Sequence, residues 1–175
     1  MNDEILLRVV NLSKEFYGNR VLDSVNITLK KGEVFGIIGE NGAGKSTFMK
    51  ILSGIYSPSQ GEIYLEGKKV EIKDPLTAKK LGITLIPQEF NLVETLTVFE
   101  NIFLGDEISH KILLNKKEMK KRSKDILKSL NVELDIEQTV EKLSVAQKQM
   151  VEIAKAITHE SKILIMDEPT TALTE

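Results

Sequence analysis

The chain has 175 residues, 24 Lys and Arg against 26 Asp and Glu, a formal net charge of −2, and no cysteine. That length suits one domain and is short for two, and 41% hydrophobic with 29% charged residues is the composition of a folded globular chain, not a disordered one. The missing Cys excludes a disulfide scaffold, a thiolate metal site and a Cys nucleophile. The acidic start, Met-Asn-Asp-Glu, is unlike a secretory signal, and no apolar run approaches the roughly 18–20 residues of a membrane span.

In chain order, residues 5–10 and 25–30 read as strands, the second alternating through Val25, Ile27 and Leu29. Val34-Phe35-Gly36-Ile37-Ile38 is a short apolar run after a Lys31-Gly32-Glu33 turn, the pattern of a strand buried on both faces in a parallel sheet. A glycine-rich loop follows, and Lys45 to Ser53 reads as a helix closed by Gly54. Residues 61–70 predict a hairpin turning at Glu66-Gly67, and 83–86 a strand stopped by Pro87. Thr97 with Glu100, Asn115 with Glu118, and Ser144 with Gln147 each announce a helix start. The helix after Asn115 is amphipathic and carries Met119, Ile126, Leu127 and Leu130. The one after Ser144 should bury Val151, Ala154 and Ile157. Residues 163–166 predict a buried strand ended by Asp167-Glu168-Pro169. Residues 111–128 hold eight basic and two acidic side chains, a local balance of +6 that Glu133, Asp135, Glu137 and Glu141 answer.

Gly39-Glu40-Asn41-Gly42-Ala43-Gly44-Lys45-Ser46-Thr47 satisfies G-x-x-x-x-G-K-[ST] between a predicted strand and a helix. Glycines let successive N–H groups converge on a phosphate, helped by the helix N-terminus. Lys45 can bridge the β- and γ-phosphates, and the Ser46 hydroxyl can ligate Mg²⁺. Asp167, at the end of an apolar strand, suits a magnesium-organising carboxylate, and Glu168 suits orienting or deprotonating an attacking water. Gln88, at another strand end, can ligate the metal or hold water, or be an ordinary polar loop residue. Phe16 and Tyr17 can stack on an adenine or belong to the core.

Together these segments resemble the ATP-binding subunits of ABC transporters over essentially the whole chain. Leu143-Ser144-Val145-Ala146-Gln147 is similar to that family's signature motif, and Ile163–Asp167, Glu168-Pro169-Thr170 and Thr171-Ala172-Leu173-Thr174 follow in the family's order. Gly39–Thr47, the stretch from Pro87 to Leu92, and Glu100–Gly105 look like the ribose- and galactose-type importer branch. The resemblance implies an α/β fold: a P-loop NTPase, RecA-like core with an antiparallel β subdomain and an inserted α-helical subdomain. Residues 1–89 and 160–175 would form the core with the β subdomain, and 90–159 the helical subdomain with the signature.

The resemblance further implies Mg²⁺ and ATP, with Phe16, Gly39, Asn41, Gly42, Ala43, Gly44, Lys45, Ser46 and Thr47 on the nucleotide. Ser144, Val145, Ala146 and Gln147 would close over the γ-phosphate of an opposing nucleotide domain. Ser46, Gln88 and Asp167 would serve the metal, and Lys45, Gln88 and Glu168 catalysis. Val145 and Ala146 stand where the family has glycines, and a left-handed backbone there would cost energy. The implied partners are a second nucleotide-binding domain, transmembrane permease subunits and, indirectly, a periplasmic or extracellular sugar-binding protein, with no nucleic acid. The place of action is the cytoplasmic face of the membrane. Neither His110 nor His159 occupies the family's switch-histidine position, and the opening Met reads as a native start, so a missing part is expected beyond Glu175. The alternatives are a non-hydrolysing nucleotide-binding fragment and a soluble ABC-type ATPase. Phe90, Leu92 and Val93, after Gln88, would receive a permease helix or belong to the helical core.

Overall fold

The computed structural model describes residues 4–110, 113–158 and 161–167. The chain divides into two compact units, Met1–Leu81 and Gly82–Glu175.

In the first unit, β1 (Ile5–Phe16) and β2 (Asn19–Lys30) form a long hairpin around Tyr17-Gly18. Both strands are longer than their alternation predicts. β1 also pairs with β3 (Gln60–Leu65), and β3 with β4 (Lys68–Val70), giving an antiparallel sheet in the order β2-β1-β3-β4. The β3–β4 turn falls at Glu66-Gly67 as expected, both residues at positive φ, as a tight two-residue hairpin requires. Helix α1 (Lys45–Leu52) ends in a Schellman motif, with Gly54 N–H donating to the Ile51 carbonyl at 3.0 Å and Ile55 N–H to that of Lys50 at 2.8 Å. A short helix α2 (Pro75–Lys80), announced by Asp74-Pro75, was not predicted; the Asp74 side chain caps it through the Thr77 N–H at 2.7 Å. Leu7, Val9, Leu12, Ile51 and Ile63 are among the buried side chains of this unit, each contributing about 1.5–3 kcal/mol.

One expectation fails here. Residues 34–38 form no strand, and Val34 and Ile38 are 99% and 98% exposed. A strand buried on both faces needs a neighbour along each edge, and no described strand pairs with this run.

In the second unit, β5 (Ile83–Ile86) and β8 (Ile163–Met166) pair in parallel, Ile83 opposite Ile163 and Ile86 opposite Met166. Between them in sequence lie α3 (Val98–Ile102), the small hairpin of β6 (Ser109–His110) and β7 (Leu113–Leu114), α4 (Lys116–Ser129) and α5 (Val145–Ile157). Thr97–Glu100 and Ser144–Gln147 are complete capping boxes, and Asn115 caps α4 through the Glu118 N–H. Val98, Ile102, Met119, Leu127, Val140, Val151 and Ala154 form one helical core. Ile157 stays outside it, 39% exposed, because the face of α5 that carries Glu152 and Ala156 is buried instead. The basic helix α4 is partly neutralised: Lys116 pairs with Glu100 at 3.2 Å and Lys120 with Glu137 at 2.6 Å.

Candidate nucleotide site

Gly39–Thr47 sits in the first unit. Ala43 N–H donates to the Glu40 carbonyl at 3.1 Å, and Gly42 and Gly44 both take positive φ. At Gly44 a Cβ would meet Leu22 Cδ2 at 2.7 Å and the Val21 carbonyl at 2.8 Å, so glycine is demanded by both conformation and space. Gly44 is also the N-cap of α1 and supplies no side-chain acceptor, which leaves the first-turn N–H groups around Ser46 and Thr47 to meet an anion. No acidic residue stands in that turn. The Lys45 ammonium folds back over the loop, donating to the carbonyls of Gly39 at 2.7 Å and Glu40 at 2.8 Å. The loop thus holds its cation at the mouth of the turn, within the same few residues that would face a phosphate.

Phe16 is half-buried at the end of β1, edge-on to Tyr56 with ring centroids 5.2 Å apart. The Lys14 ammonium lies over its ring at 4.7 Å. Tyr17, its neighbour, is fully exposed.

In the second unit, Gln88 and Asp167 lie at the carboxyl ends of two adjacent parallel strands. Asp167 N–H extends the ladder, donating to the Ile86 carbonyl at 3.2 Å, and Gln88 follows two residues after Ile86. This edge is where open α/β sheets place ligands. A neutral amide oxygen and a carboxylate, side by side at this edge, are hard oxygen donors of the kind magnesium takes. Among the described residues no cluster of three or more His, Cys, Asp or Glu forms a dedicated metal cage. Glu168, the Pro169–Glu175 segment and His159 lie outside the described residues, as does the side chain of His110.

At the signature, Ser144 Oγ accepts the Gln147 N–H at 3.3 Å and Gln147 Oε1 accepts that of Ser144 at 2.9 Å. Val145 and Ala146 are the first helical residues of α5 and neither has positive φ, so the absent glycines leave no strain. Phe90 and Leu92 are half-buried, Leu92 against the helical core, while Val93 is exposed.

Two residues that the sequence reading passed over organise the loop after Gln88. Asn101 is fully buried; its Oδ1 accepts the Val93 N–H at 2.7 Å, and its Nδ2 donates to the carbonyls of Val93 at 2.9 Å, Leu96 at 3.3 Å and Thr97 at 3.1 Å. Glu152 is 5% exposed and accepts the Asn91 N–H at 2.5 Å. Burial pushes its carboxyl above the usual range, against the pull of the Asn91 N–H and the Lys155 charge. A polar residue inside an apolar helical period was the available signal in both cases.

Comparison with known proteins gives the family. The chain is 49% identical over 172 residues to the ribose import ATP-binding protein RbsA of Clostridium perfringens (strain SM101), covering 97% of this chain and 34% of that protein. It is 50% identical over 171 residues to the putative ribose/galactose/methyl galactoside import ATP-binding protein 1 of Agrobacterium fabrum, covering 98% and 34%. The chain therefore spans about a third of the length of the curated relatives it matches. Among solved structures, a nucleotide-free ATP-binding cassette from an ABC transporter matches with a TM-score of 0.82 at 30% identity, over 94% of this chain and 69% of that one. A dimeric cassette in a post-hydrolysis state, bound to ADP and Pi, matches at 0.78 and 29% identity, over 95% and 75%. The ABC transporter family profile matches residues 22–171, and with the phosphate loop, the signature cap and the paired strand ends in one chain, the protein belongs to the ABC transporter ATP-binding cassettes.

Proposed function

We propose that this chain is the first nucleotide-binding part of a subunit that binds and hydrolyses ATP to drive import of a sugar. The observation that carries the reading is the phosphate loop, in which positive-φ glycines, an uncapped helix start and the Lys45 ammonium converge. The import names of the relatives supply the sugar. Residues 1–89 and 160–175 then form the core with its β subdomain, and 90–159 the helical subdomain.

In this reading Gly39, Asn41, Gly42, Ala43, Gly44, Lys45, Ser46 and Thr47 cradle the phosphates, and Phe16 stacks on the adenine. Ser46, Gln88 and Asp167 hold Mg²⁺, which when bound neutralises phosphate charge. Glu168 orients the attacking water. Ser144, Val145, Ala146 and Gln147 face the γ-phosphate on an opposing nucleotide domain, where the α5 N-terminus contributes about 0.3–1 kcal/mol per dipole contact. Permease subunits receive the resulting motion at the cytoplasmic face of the membrane, and a sugar-binding protein delivers cargo to them. No described helix is long and apolar enough to cross a membrane itself.

The test is nucleotide-dependent stabilisation. At a hundredfold excess over Kd, MgATP should stabilise the chain by about 2.7 kcal/mol, and Lys45→Ala should remove that gain in a thermal melt. A thermal shift with ATP that survives in Lys45→Ala overturns the assignment.

A further inference from the structure

Helix α5 begins at the signature and runs on to grip the loop that follows Gln88. Positions 148, 152 and 155 share one helix face, and each holds that loop. Lys148 Nζ donates to Glu94 Oε1 at 2.8 Å, Glu152 accepts the Asn91 N–H, and Lys155 Nζ donates to the Asn91 carbonyl at 3.4 Å. Both backbone groups of Asn91, three residues after Gln88, are therefore held by one helix.

The segment leading into the signature adds to this grip, with Glu141 N–H on the Glu94 carbonyl at 3.0 Å and Val140 N–H on that of Leu96 at 3.1 Å. Asn101 fixes Val93 from α3. Glu152 is the one charged side chain in the buried set of described residues. An apolar side chain there would avoid the desolvation cost of an ion, so packing does not explain a carboxylate. Its backbone acceptor function does.

We propose that Glu152, flanked by Lys148 and Lys155, is a positioning residue that locks the Asn91–Glu94 loop to the signature helix, so that Gln88 and Ser144 shift as one piece. It touches no nucleotide. Resting on the transporter reading, it would link movement felt at Gln88 to the signature face that meets the opposing domain.

The test uses the full-length subunit carrying this segment, assembled with its permease in lipid, with the ratio of transport-stimulated to basal ATPase and the affinity for MgATP as readouts. In Glu152→Ala the ratio should fall about fivefold, with basal rate and ATP affinity within about twofold of wild type. Glu152→Gln keeps an acceptor for the Asn91 N–H and should retain the ratio. Lys148→Met, at a pair whose glutamate is exposed, should lower the ratio about twofold and decides the matter if Glu152→Ala does not assemble.

An unchanged ratio in Glu152→Ala and Lys148→Met overturns the proposal, as does a proportional loss of basal rate and ATP affinity in both. Amide exchange in the subunit without permease gives an independent measure: the Asn91 and Val93 amides should exchange about tenfold faster in Glu152→Ala than in Glu152→Gln. If wild type shows no stimulation, the transporter reading fails, and the exchange result alone then supports or overturns the lock.

Discussion

Glu152 titrates with a sign opposite to that of its neighbours. Hydrogen bonding to Lys148 holds the Glu94 carboxyl below its usual range, and hydrogen bonds from Thr97 do the same for Glu100. Such groups contribute stability above their unfolded values and lose it as pH falls. For Glu152 burial raises the folded value above the ordinary 4.5, so between those two values the folded state binds more protons than the unfolded one. Stability from this group therefore declines as pH rises through that window, and the cost is full above the folded value. Glu152→Gln mimics the protonated acid and keeps the acceptor oxygen. The variant should be more stable than wild type at pH 7–8, and the difference should close as pH drops toward 4.5. Glu94 and Glu100 are present in both proteins, so their acid losses cancel in the comparison. Denaturant unfolding across pH, followed by circular dichroism, measures it. A difference that is constant with pH would mean Glu152 is not held as a strained carboxylate.

At the scale of elements, the fully buried Asn101 amide ties α3 to the loop before it. Asn101→Ala would leave the Val93 N–H without its acceptor and remove one of two donors from each of the Val93, Leu96 and Thr97 carbonyls, which keep the N–H groups of Leu96, Val140 and Asn101. The expected loss is about 3 kcal/mol. Thr97→Ala at the cap of the same helix should cost only about 1 kcal/mol. Equal losses would show that the cap, not the amide, organises the segment. The cap was legible in the sequence, because Thr97 and Glu100 sit at a fixed spacing and act locally. The β3–β4 turn, the end of α1 and the glycines of the phosphate loop were legible for the same reason: each reports a backbone geometry set within a few residues. Glu152 was not, since its partner Asn91 lies 61 residues away, and Asn101 was not because, although its partners lie only four to eight residues away, nothing at its own position names Val93. Ile157 was misjudged by the same logic. Periodicity marks an apolar stripe, but whether the next turn is covered depends on what packs there.

At the scale of the whole molecule, the run Val34–Ile38 is where local and global requirements part. Its sequence calls for a strand covered on both faces, yet Val34 and Ile38 are almost wholly exposed and Phe35 is 46% exposed. Periodicity reads the hydrophobicity of such a run but not the identity of its neighbours, and among the described residues the parallel pairing consists of β5 and β8. An exposed apolar run outside any described strand pairing offers its backbone and side chains for association with another chain. The 175-residue chain should therefore self-associate at micromolar concentration. A lysine at each of the two most exposed positions would oppose edge-to-edge pairing through charge repulsion and desolvation. The double variant Val34→Lys/Ile38→Lys should elute in gel filtration near its monomer mass of about 19.6 kDa, while the unaltered chain runs larger. If both run as monomers, residues 34–38 do not act as an open edge in solution, and their exposure must be reconciled by a contact that covers them.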